Sequence, residues 1–198
     1  SDQAMGDFKK VKTFTEKQSD LAEWNYSSLK HKRVALNNEW KMFFVQSEPQ
    51  VKDTFTLQKL HSWTELNHSN LKISAGTAAY ETTFEFNVAD LNKQVYLHLG
   101  DVRESARVFL NGKEAGVVWA APFEIDLSGL LLAGKNELRI EVTNLPANRI
   151  ADYDRRGINW KIFNEINIVN IGYKPPYYAN WEPAPSGLCS EVELRVGE

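Results

Sequence analysis

Residues 145–187 concentrate the side chains that could do chemistry. The stretch reads LPANRIADYDRRGINWKIFNEINIVNIGYKPPYYANWEPAPSG and holds five of the chain's seven prolines. Trp160, Tyr173, Tyr177, Tyr178 and Trp181 stand in it among loop-forming residues. Exposed rings of this kind can stack on the apolar face of a pyranose while Asn, Asp or Arg side chains hydrogen-bond its hydroxyls. The same rings, with Arg149, can instead bury against a partner domain, where Trp, Tyr and Arg are favoured anchors. Asp152 and Asp154 are read as loop residues beside Arg149, Arg155 and Arg156. Three uses are open to them: an ion-pair network that locks the loop, docking to a neighbouring domain, or a structural calcium site. The last is the poorest fit, because Asp152-x-Asp154 offers only two carboxylates and Ca²⁺ takes about six or more oxygens. Trp119 precedes a separate loop, over 119–122, and fits either a core or a rim position.

Other chemistries lack their residues. Glycosidic hydrolysis normally takes two carboxyl groups set roughly 5 to 10 Å apart across the bond. Glu81, Glu85, Glu137 and Glu141 alternate outward along strand-like runs and read as a solvated sheet face, so no catalytic residue is assigned. His31, His61, His68 and His98 have no zinc-ligand spacing, and nothing matches a phosphate loop. Asn25-Tyr26-Ser27 and Asn67-His68-Ser69 match the glycosylation triplet, as chance allows. The lone cysteine, Cys189, reads as a small buried apolar residue. With net charge −3 and both signs scattered, the chain has no basic stripe for nucleic acid, and no apolar run is long enough to span a membrane. Its 198 residues are 42% hydrophobic and 25% charged, which fits an ordinary globular domain with an extension. It starts Ser-Asp-Gln-Ala without an apolar signal segment and is read as a fragment or trimmed form.

The elements that must position the aromatic stretch repeat with period two. Trp40, Met42 and Phe44 alternate with Lys41, Phe43 and Val45. Tyr80, Thr82, Phe84, Phe86 and Val88 share one face of a second run. Val95, Leu97 and Leu99, then Leu138, Ile140 and Val142, then Val192, Leu194 and Val196 repeat the pattern. Side chains alternate across a strand, so each run has one buried and one wetter face. Asn111-Gly112 is a hairpin signal, and Ala133-Gly134-Lys135-Asn136 is a second turn. Gly116 leaves room for a side chain from a facing sheet, and Pro122 suits an edge strand or a strand start. Asp101 and Arg103 can pair, and Trp40 and Trp63 read as core. Such punctuation predicts an antiparallel sandwich rather than βαβ units, with 145–187 as long ordered loops and one or two strands in NWKIFNEINIVNI. Residues 1–33 read as an N-terminal extension or linker, with a short strand at DFKKVKTF and a helical turn at SDLAEW, and 34–198 as the sandwich domain.

SAGTAAYETTFEF, followed by LHLGDVRESARVFLNGKEAGVVWAAPFEIDLSGLLLAGKNELRIEVTN, resembles the galactose-binding-domain-like jelly roll of glycoside hydrolases. It is similar to the sugar-binding domain of family-two enzymes such as β-galactosidases and β-glucuronidases. NLPANRIADYD and PSGLCSEVEL are similar to the C-terminal β-sandwich of bacterial α-L-rhamnosidases. The resemblance spans roughly residues 36–196 and implies an all-β, antiparallel jelly-roll sandwich. It also implies catalytic acids in a separate barrel domain of a larger parent glycoside hydrolase. On that expectation the chain is an accessory module, non-catalytic by itself and without a cofactor. Trp119, Arg149, Asp152, Trp160, Tyr177, Tyr178 and Trp181 are then its ligand-binding or domain-contact residues. Its partners would be the parent's catalytic domain and an oligo- or polysaccharide, in a secreted, periplasmic or surface-associated bacterial protein. The alternative is a purely structural module that joins domains without ligand affinity.

Overall fold

The computed structural model describes residues 31–160 and 176–197. DFKKVKTF, SDLAEW, Tyr173 and most of NWKIFNEINIVNI lie outside them. Twelve strands are present among the described residues. Six of them, β2 (Trp40–Glu48), β3 (Thr54–Leu57), β4 (Ala75–Phe86), β7 (Ser105–Leu110), β8 (Lys113–Val118) and β10 (Gly134–Thr143), form one sheet in the order β3-β2-β4-β10-β7-β8. Four more, β1 (His31–Ala35), β5 (Val95–His98), β9 (Glu124–Asp126) and β12 (Glu193–Gly197), form a second in the order β1-β12-β5-β9. The short strands β6 (Val102–Arg103) and β11 (Gly187–Leu188) pair with each other. Every pairing is antiparallel, as the period-two runs and hairpin signals require.

The alternation predicts the core closely. Trp40, Met42, Trp63, Tyr80, Leu97, Leu138, Ile140 and Leu194 are all buried and form one apolar cluster. Asn111 (φ 51°) and Gly112 (φ 78°) make the β7–β8 hairpin turn. At Gly116 an added Cβ would stand 2.8 Å from Cδ1 of Ile125, a residue of the opposite sheet, so the facing side chain does occupy that space. Pro122 precedes β9, an edge strand. Arg103 pairs with Asp101 at 2.7 Å. Gly187 returns the chain to the core against Tyr80 and Trp63; a Cβ there would collide with Tyr80 Oη.

Two expectations are corrected. Val88 does not share the inward face of β4; it lies in a 3₁₀ turn after the strand ends at Phe86 and is exposed. More consequentially, residues 147–155 are not loop but helix α1 (Ala147–Arg155), so Arg149, Asp152 and Asp154 are helical residues. Pro146 precedes the first turn, where a missing N–H costs nothing. Gly157 (φ 67°) ends the helix, with its N–H on Asp154 O and that of Ile158 on Tyr153 O.

Candidate functional site

The segment between β10 and β11 enters and leaves the sandwich at a closed base. The side chain of Asn144 accepts the Gly76 N–H at 2.9 Å and donates to Ser74 O and Ser186 Oγ at 3.1 and 3.0 Å. Asn148, one helical turn on, accepts the Ala184 N–H at 2.7 Å and donates to Ala184 O at 2.9 Å. Ser186 N–H donates to Ser62 Oγ at 2.9 Å, and its carbonyl accepts the Trp63 N–H at 3.0 Å. All four side chains are buried, where an unmade hydrogen bond would cost about 1–3 kcal/mol.

Arg149 and Asp152 form the next layer. The Arg149 guanidinium donates to Asp152 at 2.8 Å and to Glu48 at 2.9 Å, and it lies 4.4 Å from the ring centroid of Tyr153. Arg156 also reaches Asp152, at 3.3 Å. The Tyr153 hydroxyl donates to Glu48; that bond and the Arg149 contact hold the Glu48 carboxyl below its ordinary range. For Asp152 this is the ion-pair lock anticipated, built on a helix and tied to the end of β2. Glu48 and Tyr153 were not foreseen, because Glu48 is 101 residues from Arg149 and only folding joins them.

Asp154 has a different set of partners. Its carboxylate is buried and accepts the Trp160 indole N–H at 2.7 Å and the Tyr178 backbone N–H at 2.6 Å. Arg155 donates to Ala179 O at 2.9 Å and Trp181 O at 3.0 Å. These bonds set an aromatic ladder on the helix: the Trp160 and Tyr178 ring centroids are 6.3 Å apart, and those of Tyr178 and Trp181 are 4.4 Å apart. Trp181 keeps 53% of its surface exposed and Tyr177 66%. Trp181 borders an open groove of about 700 Å³ between this segment and the Ser69–Ile73 3₁₀ turn. Asn67, Ser69, Lys72, Asn180 and Glu182 line it, and their side chains make no hydrogen bond or ion pair among the described residues.

Six of the seven candidate residues are thus joined by one helix and the segment packed on it. Trp119 stands apart. It is 77% exposed, a rim position, and follows β8. Arg149 reaches the end of β2, which is four strand positions from β8, a separation of roughly 19 Å. Asp152 and Asp154 face different partners, and among the described residues no three His, Cys, Asp or Glu side chains converge as metal ligands.

A second groove, of about 860 Å³, crosses the outer face of the six-stranded sheet. Its floor centres on Arg139, which donates to Glu81 and Glu141 at 2.8 Å each and lies 5.3 Å from the Phe43 ring centroid. Of the four glutamates read as a solvated face, Glu81 and Glu141 are here the arms of a guanidinium clamp.

The comparisons with known proteins agree with the fold. Residues 24–188 match the family model described as the glycosyl hydrolase 2 galactose-binding domain-like domain. A Formosa agariphila protein provisionally named a beta-glucuronidase is 32% identical over 157 residues, which cover 70% of this chain and 13% of that protein. The rhamnosidase structure from Novosphingobium sp. PP1Y matches 84% of the chain, and 15% of its own, at TM-score 0.67 and 25% identity. The beta-D-glucuronidase of Dictyoglomus thermophilum shares the fold over 86% of this chain and 28% of its own, at TM-score 0.59 and 19% identity. The chain spans about one seventh of the first two relatives, and it belongs to the glycosyl hydrolase 2 galactose-binding domain-like family.

Proposed function

We propose that the chain is a non-catalytic accessory module of a larger glycoside hydrolase and that its rim binds carbohydrate beside Trp181. One observation carries this reading. The Trp181 ring is half exposed, is backed by Tyr178, and opens on a groove where the side chains of Asn67, Ser69, Lys72, Asn180 and Glu182 make no hydrogen bond or ion pair among the described residues. A pyranose stacked on the indole would meet amide and hydroxyl groups ready for its own hydroxyls. No cofactor is needed for such binding. The parent would act on saccharides outside the cytoplasm, which is where this chain would work.

Affinity electrophoresis through gels containing polysaccharides tests the reading. Retardation on at least one polymer, abolished by Trp181→Ala with an unchanged melting temperature, is expected. Turnover of aryl glycosides by this chain alone, lost in Asp154→Ala, would overturn the non-catalytic assignment.

A docking role is favoured by Trp119 and Tyr177, two large exposed rings outside the groove lining. Exposed aromatics of this kind are anchors at domain contacts. If they seat the parent's catalytic domain, the paired change Trp119→Ala and Tyr177→Ala in the full-length protein should split its thermal unfolding into two transitions. Saccharide binding by the rim would persist.

A further inference from the structure

We propose that the rim groove selects anionic saccharides, those bearing a carboxylate or a sulfate; this rests on the carbohydrate reading above. Lys72 and Arg155 bring two fixed positive charges to the lining, and Glu182 brings one negative charge. His68 also lines the groove, but its Nε2 faces the Asp53 carboxylate at 3.4 Å, so it is not counted in the excess. The excess is positive in a chain whose net charge is −3, so the groove runs against the field of the molecule.

Lys72 and Arg155 also have no carboxylate partner among the described residues. Lys72 has no ion-pair partner among the described residues. Arg155 uses Nε and one amino group on the carbonyls of Ala179 and Trp181, and its Nη1 is uncommitted among the described residues. Those two bonds also fix where the guanidinium points, so little freedom is lost when it meets an anion. The Arg139 clamp shows the opposite case: its carboxylates already neutralise it, and it has no charge to offer a ligand. An anion on a sugar ring stacked over Trp181 gains charge-assisted hydrogen bonds that a neutral sugar does not.

The test compares three polymers with the full chain: agarose as neutral galactan, κ-carrageenan as sulfated galactan, and polygalacturonate as carboxylated polymer. Stronger retardation on one or both charged polymers is expected, with the pattern showing which anion fits. A chain of net negative charge is not drawn to a polyanion unspecifically, so such retention is local. Lys72→Ala should weaken it about tenfold, the size of one hydrogen bond to a charged group. Glu182→Gln should strengthen it several-fold, and raising salt from about 0.05 to about 0.5 M should weaken it. Lys72 and Glu182 are exposed and outside the core, so neither change should unfold the protein. Equal binding to all three polymers, lost in Trp181→Ala but indifferent to Lys72→Ala, would overturn the selectivity and leave carbohydrate binding standing. Binding to none would overturn both.

Discussion

The rim groove and the sheet-face groove are similar in size, about 700 and about 860 Å³, and both carry charged and aromatic residues. They differ in where those groups spend their hydrogen bonds. On the sheet face Arg139 lies directly across from Glu81 on the neighbouring strand and two residues from Glu141 on its own. Pairs placed that way meet without any loop geometry, so the sheet settles its own charges. At the rim most buried groups bond one another, Arg149 Nε being an exception, while Asn67, Ser69, Lys72, Asn180 and Glu182 in the groove make no such bond among the described residues. Concavity and charge alone therefore do not mark a binding surface in this molecule. On the proposed reading, it is the unused donors and acceptors at the rim that do.

This contrast can be broken experimentally. The largest effect is expected for Asp154→Ala. It deprives the Trp160 indole and the Tyr178 amide of a buried charged acceptor, and should lower stability by about 2–4 kcal/mol. The same change should remove glycan retardation, read by urea unfolding and affinity gels together. Arg139→Ala should cost about 1 kcal/mol, because the clamp is partly exposed and screened, and should leave glycan binding intact. If it weakened retardation instead, the sheet face would be the binding surface.

The smallest effect concerns a third charge network, on the four-stranded sheet, where Arg195 holds Glu193 at 2.8 Å and also binds Glu124. Burial, and then the nearby Arg195, hold His98 below its ordinary pKa. As pH falls through about 6.5 the unfolded histidine takes up a proton before the folded one does. Stability should therefore decline from there down to the lower folded value and be flat above. His98→Gln should flatten that step in the urea midpoint.

The sandwich was legible because its longer strands carry their own signal, whereas β1, β3, β6 and β11 show none of those runs. Trp40 and Met42, or Leu138, Ile140 and Val142, announce a buried face within five residues, and the core follows from the union of such faces. The rim was legible only in composition. Its aromatics stood out, yet α1 was missed, although Pro146 and Gly157 bracket it as helix boundaries often are bracketed. The face it buries is polar, with Asn148, Arg149 and Asp152 inward, so hydrophobic periodicity had nothing to report. Asn144, Ser186 and Ser62 were invisible for a similar reason, since a buried amide or hydroxyl looks in sequence like an exposed one. Lys72 and Arg155 reach one groove from positions 83 residues apart, which no local pattern encodes.

The Asn144–Ser186 contact has an evolutionary corollary. Because the polypeptide leaves the sandwich and rejoins it at one stitched point, the insertion between those two residues, which is also tied to β2 through Glu48, can be treated as a cassette. Recombination or design could swap that cassette for another without re-registering a single strand, and a family built on this body could change what it holds while keeping how it folds.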